Sequence, residues 1–335
     1  MRGAIVLAAL LGAAATVCLA EPATFDTMQL RVATPPVAPP EPAKLDLAFA
    51  AFQRGLYVTA FKEAMKRLDA DKADAAAMTL IAELYAHGNG ARLDVAEAAR
   101  WYRLAANLGN REAQFALALL TIQGRGVAKE RPAARALFEA AAASGHAGAW
   151  YNLGVMDLEG GAETAKPDFA AAAAAFQKAV DLGEPEAAYA LALLYREGKG
   201  VAADPVRAAE LLGVAAREKN TAAEVDLAIM LFNGDEAAKD GAPVKKGSGI
   251  PKDEAAAAKL LLAAAARDNA VAQNRVARLL AVGRGLPKNE IEACKWHILA
   301  RAQGIEDAFL DGVLNALSAE DKAKAETAVR RYTGS

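Results

Sequence analysis

Apolar and polar positions in this chain alternate with a helical period, and the pattern restarts at near-constant intervals. Six apolar runs end in glycine, at Gly88, Gly124, Gly160, Gly198, Gly234 and Gly283, spaced 36, 36, 38, 36 and 49 residues apart. Eleven residues before each glycine stands an alanine: Ala77, Ala113, Ala149, Ala187, Ala223 and Ala272. Four residues on comes a large apolar side chain: Ile81, Leu117, Leu153, Leu191, Leu227 or Val276. A small residue follows at once (Ala82, Ala118, Gly154, Ala192, Ala228, Ala277), and Leu84, Leu120, Met156, Leu194, Met230 or Leu279 comes soon after. These spacings place the series on one helical face, where the small members let a neighbouring helix approach closely.

A second helix is predicted after each glycine. Its start is marked by Asp94, Glu130, Asp168, Asp204, Asp253 or Asn289. Asp and Asn are strong N-caps because the side-chain oxygen accepts from the first free backbone N–H groups; Glu130 is a weaker cap. Pro205 suits the first helical position. Four of the second helices run into Gly109, Gly145, Gly183 or Gly304, which supply a left-handed C-cap. One such helix pair cannot bury its own apolar face, so the pairs must stack. The stretch LLYREGKG (Leu193–Gly200) therefore reads as a turn between two helices and not as a phosphate loop. It recurs in kind at Glu83–Gly90, Leu119–Gly126 and Leu279–Gly285, and no Ser or Thr follows Lys199.

The third and fifth units depart from the pattern. Ala162 and Glu236 stand where a second turn glycine is expected, and the fifth unit carries 13 extra residues before its second helix. That insertion, rich in Gly, Pro and charge, is expected to loop out from the edge of the array and to aid partner capture, with Lys245 and Lys246 as its candidate contact residues. Residues 44–73 read as a divergent helix pair. Residues 308–335 read as a closing cap, with Ser318–Asp321 as its capping-box-like start.

Composition sharpens this picture. The chain of 335 residues is 54% hydrophobic but only 6% aromatic, so its apolar share is mostly Ala and Leu, which favour helix. Lys and Arg (39) nearly balance Asp and Glu (41) without a basic block, which argues against a nucleic-acid partner. Residues 1–20 carry one positive charge, an apolar core and small residues before a cut after Ala20, as a secretory signal does. The alternative is a single anchoring helix. Lipidation at Cys18 is disfavoured by Val17. Residues 21–43, with the proline-dense Thr34–Ala43, read as an extended tether. Without the signal only Cys294 remains, so no internal disulfide is expected in this exported, periplasmic reading. No later run is apolar enough to cross a bilayer.

The turn and second-helix pattern resembles the Sel1-like repeat family, relatives of the tetratricopeptide repeats. Its G-x-G-V element appears at Gly124, Gly126 and Val127 and again at Gly198, Gly200 and Val201. Its W-Y-x(2)-A-A-x(2)-G element appears at Trp101, Tyr102, Ala105, Ala106 and Gly109, with Trp296 and Gly304 in the sixth unit. The resemblance covers residues 74–307. It implies an all-α right-handed solenoid of stacked helix-turn-helix repeats and a role as a protein-binding scaffold or regulatory adaptor in the cell envelope. Envelope signalling and exopolysaccharide assembly are associated with exported relatives. The rival function implied is an envelope hydrolase or a binder of β-lactam, cell-wall or polysaccharide ligands; Trp101 and Trp150 are the candidate sugar platforms. This chain lacks the disulfide in each repeat of the β-lactam-linked relatives.

No catalytic or cofactor motif appears. His87, His146 and His297 lie in different repeats without metal-ligand spacing, and each reads as structural: a surface residue, a turn residue and a half-buried packing residue. Cys294 reads as inert packing. No enzyme, cofactor or metal site is expected. In tetratricopeptide-like stacks the first helices line the concave side. By that resemblance Phe115, Tyr151, Tyr189 and Val225 form one inward row, and Leu119, Val155, Leu193 and Ile229 a second. Thr79, Glu83, Asn274 and Arg278 would make the ends polar. Two readings stay open: a groove that captures a partner segment, or side chains buried between adjacent first helices.

Overall fold

The computed structural model describes residues 46–160, 166–234 and 249–334. The proposed signal, the tether, Ala162, Glu236, Lys245 and Lys246 lie outside the described residues. The described residues are all-α and divide into two compact units, 46–223 and 224–334.

The first unit holds α1 (Leu47–Gln53) and α2 (Tyr57–Ala70), then α3 (Ala75–His87) with α4 (Val95–Asn107) and α5 (Arg111–Gln123) with α6 (Arg131–Ala143). It closes with α7 (Ala147–Glu159) and α8 (Phe169–Asp181), then α9 (Pro185–Glu197) and α10 (Pro205–Arg217). In the second unit α11 (Thr221–Phe232) precedes α12 (Glu254–Ala265), and α13 (Ala270–Val282) pairs with α14 (Glu290–Ala302). The cap is α15 (Ala308–Ala316) and α16 (Ala319–Thr333). From α1 to α10, and again from α12 to α15, each helix packs on its sequence neighbours, and α16 packs on α14, the arrangement of an all-α solenoid.

The periodic alanines are the contact points: Ala77, Ala113, Ala149, Ala187, Ala223 and Ala272 are all fully buried. Of the expected second-helix caps, Asp94, Asp168, Asp204, Asp253 and Asn289 accept from a backbone N–H at 2.8–3.0 Å, whereas Glu130 makes no such bond. The same six residues donate their own backbone N–H to a carbonyl of the preceding helix: Tyr85, Thr121, Asp157, Tyr195, Leu231 and Leu280. Asp253 keeps this bond at 2.9 Å, so the base of the repeat 5 insertion closes like a short turn.

The two turn glycines do different work. Gly88, Gly124, Gly198 and Gly283 are left-handed caps. The second glycine meets the previous repeat. A Cβ on Gly90, Gly126, Gly200 or Gly285 would fall 2.2–2.5 Å from the backbone of Tyr57, Val95, Phe169 or Glu254, each the first residue of the preceding second helix. Two of the six run-ending glycines differ from these four. Gly160 has positive φ but not the left-handed helical ψ (φ 88, ψ 154), and Gly234 is pressed against the returning chain, its Cβ position 2.6 Å from the Ile250 carbonyl. Between the second and third repeats, Arg131 of α6 makes a side-chain joint. Its guanidinium donates to the Met156 and Gly160 carbonyls at 2.9 and 3.0 Å and to Glu159 at 2.7 Å.

The array is closed at each end by an arginine on a helix-capping aspartate. Arg67 grips Asp74, the N-cap of α3, through two bonds of 2.7 and 2.9 Å and also reaches Asp46, the N-cap of α1. In the second unit, Asp307 caps α15 and accepts from Arg278 at 2.6 and 2.8 Å and from Asn274 at 2.8 Å. These two polar residues therefore anchor the cap. Desolvation of Asp307 is opposed by these donors, which hold its carboxyl below the ordinary range.

Candidate partner-binding surface

The first helices of repeats 2 to 4 in the first unit bring Phe115, Tyr151 and Tyr189 to equivalent positions, with Leu119, Val155 and Leu193 one turn further on. All but Val155 are half-buried. Val155 is 4% exposed and presents no surface. Phe115 lies on the fully buried side of the second helices, its ring centroid 5.8 Å from that of Phe138, and Tyr151 stands at the same distance from Phe176. The Phe115 and Tyr151 rings are thus rooted against buried rings of the core. Val225 and Ile229 belong to the other unit, where Val225 is buried and Ile229 packs on the core around Val276.

Carboxylates flank this row. Burial and the nearby charges of Glu186 and Glu184 raise the Tyr151 hydroxyl above its ordinary value of 10. Glu112 bonds the Nε2 of His146 at 3.1 Å, and the imidazole stacks on Phe115 at 4.1 Å between centroids. The Nδ1 of His146 accepts from Ala149 N–H at 3.1 Å, which makes it the N-cap of α7 and puts the ring proton on Nε2, towards Glu112. Desolvation pulls the imidazole below its ordinary 6.5, more than Glu112 opposes it. At the far end of the row, Tyr102 donates to Glu83 at 2.6 Å, and burial with the Glu83 charge pushes its hydroxyl well up.

The first-helix caps are a series that sequence reasoning missed. Asp74, Asn110, His146, Asn220 and Asn269 each accept from the backbone three residues on, and Glu184 occupies the same place without that bond. The signal was present as polar residues recurring just after the second helix. Two others were masked by their residue type: Lys219 (φ 64) and Asp268 (φ 60) adopt the left-handed conformation that glycine takes in the other repeats.

The remaining candidates are dispersed. His87 is exposed and bonds its own helix at the Glu83 carbonyl. His297 is fully buried, not half-buried, because α15 covers it and Asp311 sits 2.9 Å from Nε2. Cys294 is 1% exposed, and burial pushes its thiol up to about 11. No three His, Cys, Asp or Glu side chains converge on a metal-sized site among the described residues. Lys199 pairs with Glu197 at 2.7 Å and lies over the Phe169 ring, as a turn residue would.

Comparison with known proteins places these features in context. The pattern described as the Sel1 repeat matches residues 75–110, 111–146, 185–220, 221–269 and 270–305. Among solved structures, the Sel1 repeat protein from Oxalobacter formigenes is 26% identical, with a TM-score of 0.64 over 76% of this chain and 98% of that one. The protective antigen c5321 of uropathogenic Escherichia coli, which displays an SLR fold, is 22% identical. It has a TM-score of 0.51 over 85% of this chain and 67% of that one, and shares the fold. Curated proteins yielded no match. The helix pair left unmatched between residues 146 and 185 is the one joined through Arg131.

Proposed function

The chain belongs to the Sel1 repeat family, a protein–protein interaction scaffold, and on that premise we propose that it is an exported adaptor of the cell envelope. In this reading it is not an enzyme, and it captures a segment of another protein on the first-helix face of the first unit. The observation that carries the reading is the row Phe115, Tyr151 and Tyr189, half-buried beside Glu112, Glu184 and Glu186. Rings fixed from behind lose little entropy on binding, and an apolar strip edged by carboxylates suits a segment that alternates large apolar and basic residues. Export rests on the charge and small-residue pattern of residues 1–20. No described helix is long and apolar enough to cross a membrane.

Two measurements test the proposal. N-terminal sequencing of the mature protein is expected to begin at Glu21; retention of residues 1–20 would remove the export claim. Photocrosslinking in cells from position 151 is expected to yield one dominant envelope protein. Tyr151→Glu and Tyr189→Glu, probed from a neighbouring site, are expected to abolish the adduct while helicity and melting stay unchanged. Unfolding of both variants would establish the side chains as core and reject the groove.

A further inference from the structure

The seventh residue after the N-cap of the second helices is Trp101, Leu137, Leu211, Leu260 and Trp296 in α4, α6, α10, α12 and α14. Leu211 and Trp296 are buried, and Trp101, Leu137 and Leu260 pack against the cores. In α8 the same position holds Ala175. Only the methyl group of Ala175 therefore stands where the other repeats place Trp or Leu. Ala175 lines a cleft of about 480 Å³ that opens between α6 and α8 and is floored by α7.

Its lining is specific. Trp150 and Leu153 form the floor, and Ala175 and its alanine neighbours form one wall. Arg135 stands on the other wall, where α4, α8 and α12 have Ala99, Ala173 and Ala258, all buried. It donates to Asp157 at 2.7 Å and to Glu139 at 3.0 Å, so both carboxylates are neutralised within the cleft. Lys178 at the mouth is exposed and has no ion-pair partner among the described residues. The cleft thus borders the position where the other repeats place Trp or Leu, with one uncommitted positive charge beside it.

We propose that this cleft is a second docking site, which receives one tryptophan or leucine side chain of a partner peptide with a carboxylate next to it. The occupant is set by the fold's own repeats, which fill this position with Trp or Leu five times. The carboxylate is set by Lys178. The site is distinct from the first-helix face, since none of its lining residues belongs to the aromatic row.

N-acetyl-tryptophan is the probe. Titrated into ¹⁵N-labelled full-length protein, it is expected to shift the Trp150 indole N–H resonance, assigned with Trp150→Phe, and to saturate in the millimolar range. Lys178→Glu is expected to weaken that response several-fold and to leave N-acetyl-tryptophanamide unaffected. Ala175→Leu restores the residue of the other repeats; it is expected to abolish the shift while melting is unchanged or raised. The absence of a saturable shift, a shift that survives in Ala175→Leu, an equal response to acid and amide, or a response to a disaccharide in place of N-acetyl-tryptophan would each overturn the proposal. Should Ala175→Leu melt low, Lys178→Glu alone decides, because that side chain is in solvent.

Discussion

At the scale of single residues, His146 is where protonation meets structure. Its Nδ1 is the helix cap, and the folded chain disfavours the imidazolium. The capping contribution is therefore complete above the ordinary value of 6.5 and is lost as pH falls through the lower folded value. His146→Asn puts the cap of Asn110, Asn220 and Asn269 in this place. Urea melts between about pH 7 and pH 5 are expected to show a smaller loss of stability in the variant. Equal losses would show that the imidazole does not govern the cap. Lys219 offers a simpler case, since its side chain is exposed and its φ is 64. Lys219→Gly is expected to add about 0.5–1 kcal/mol in the same melts; a loss would mean that the lysine side chain contributes more than its strained backbone costs. Sequence showed the second-helix caps because Asp before an alanine run is a local signal. It did not show His146 as a cap, since a histidine acts as one only when its tautomer is held, here by Glu112.

Between elements, the stacking is governed by backbone meeting backbone. Gly109 and Gly200 both have positive φ, but only Gly200 is crowded by a preceding helix. Gly109→Ala is expected to cost about 1–2 kcal/mol, from conformation alone. Gly200→Ala is expected to cost about 1–3 kcal/mol more, because the Phe169 carbonyl must move. Thermal melts of the two variants compare them directly, and equal costs would refute the role given to the second glycine. This division of labour was half legible. The recurring G-x-G announced a turn, yet nothing in one repeat says that its second glycine faces the repeat before it. The join through Arg131 was less legible still, because its partners are carbonyls, which every residue has. For the aromatic row, periodicity gave the positions, whereas the depth of each ring depends on Phe138 and Phe176 of the facing helices.

For each unit as a whole, the closing cap sets how easily the end opens. Lys322 of α16 lies close enough to act on the Cys294 thiol, and α16 packs along α14. Asp307→Asn removes the charge that Arg278 holds and is expected to cost about 1–3 kcal/mol locally. In protein that begins at Glu21, alkylation of Cys294 is then expected to quicken roughly ten-fold or more, since the thiol reacts only when α15 and α16 lift. An unchanged rate would place the opening elsewhere. The Gly-to-helix joints also bear on inheritance. Where a repeat carries its glycine and offers its helix start to the next, a copy inserted or lost at whole-period length arrives with a working seam. The seam at Arg131 is different, for the arginine sits in repeat 2 and the carbonyls it holds sit in repeat 3. Copying either alone would set an arginine against a glycine turn, or leave the Met156 and Gly160 carbonyls without their donor. Lineages of this chain are therefore expected to gain and lose repeats on either side of residues 111–184 while passing that double unit on intact.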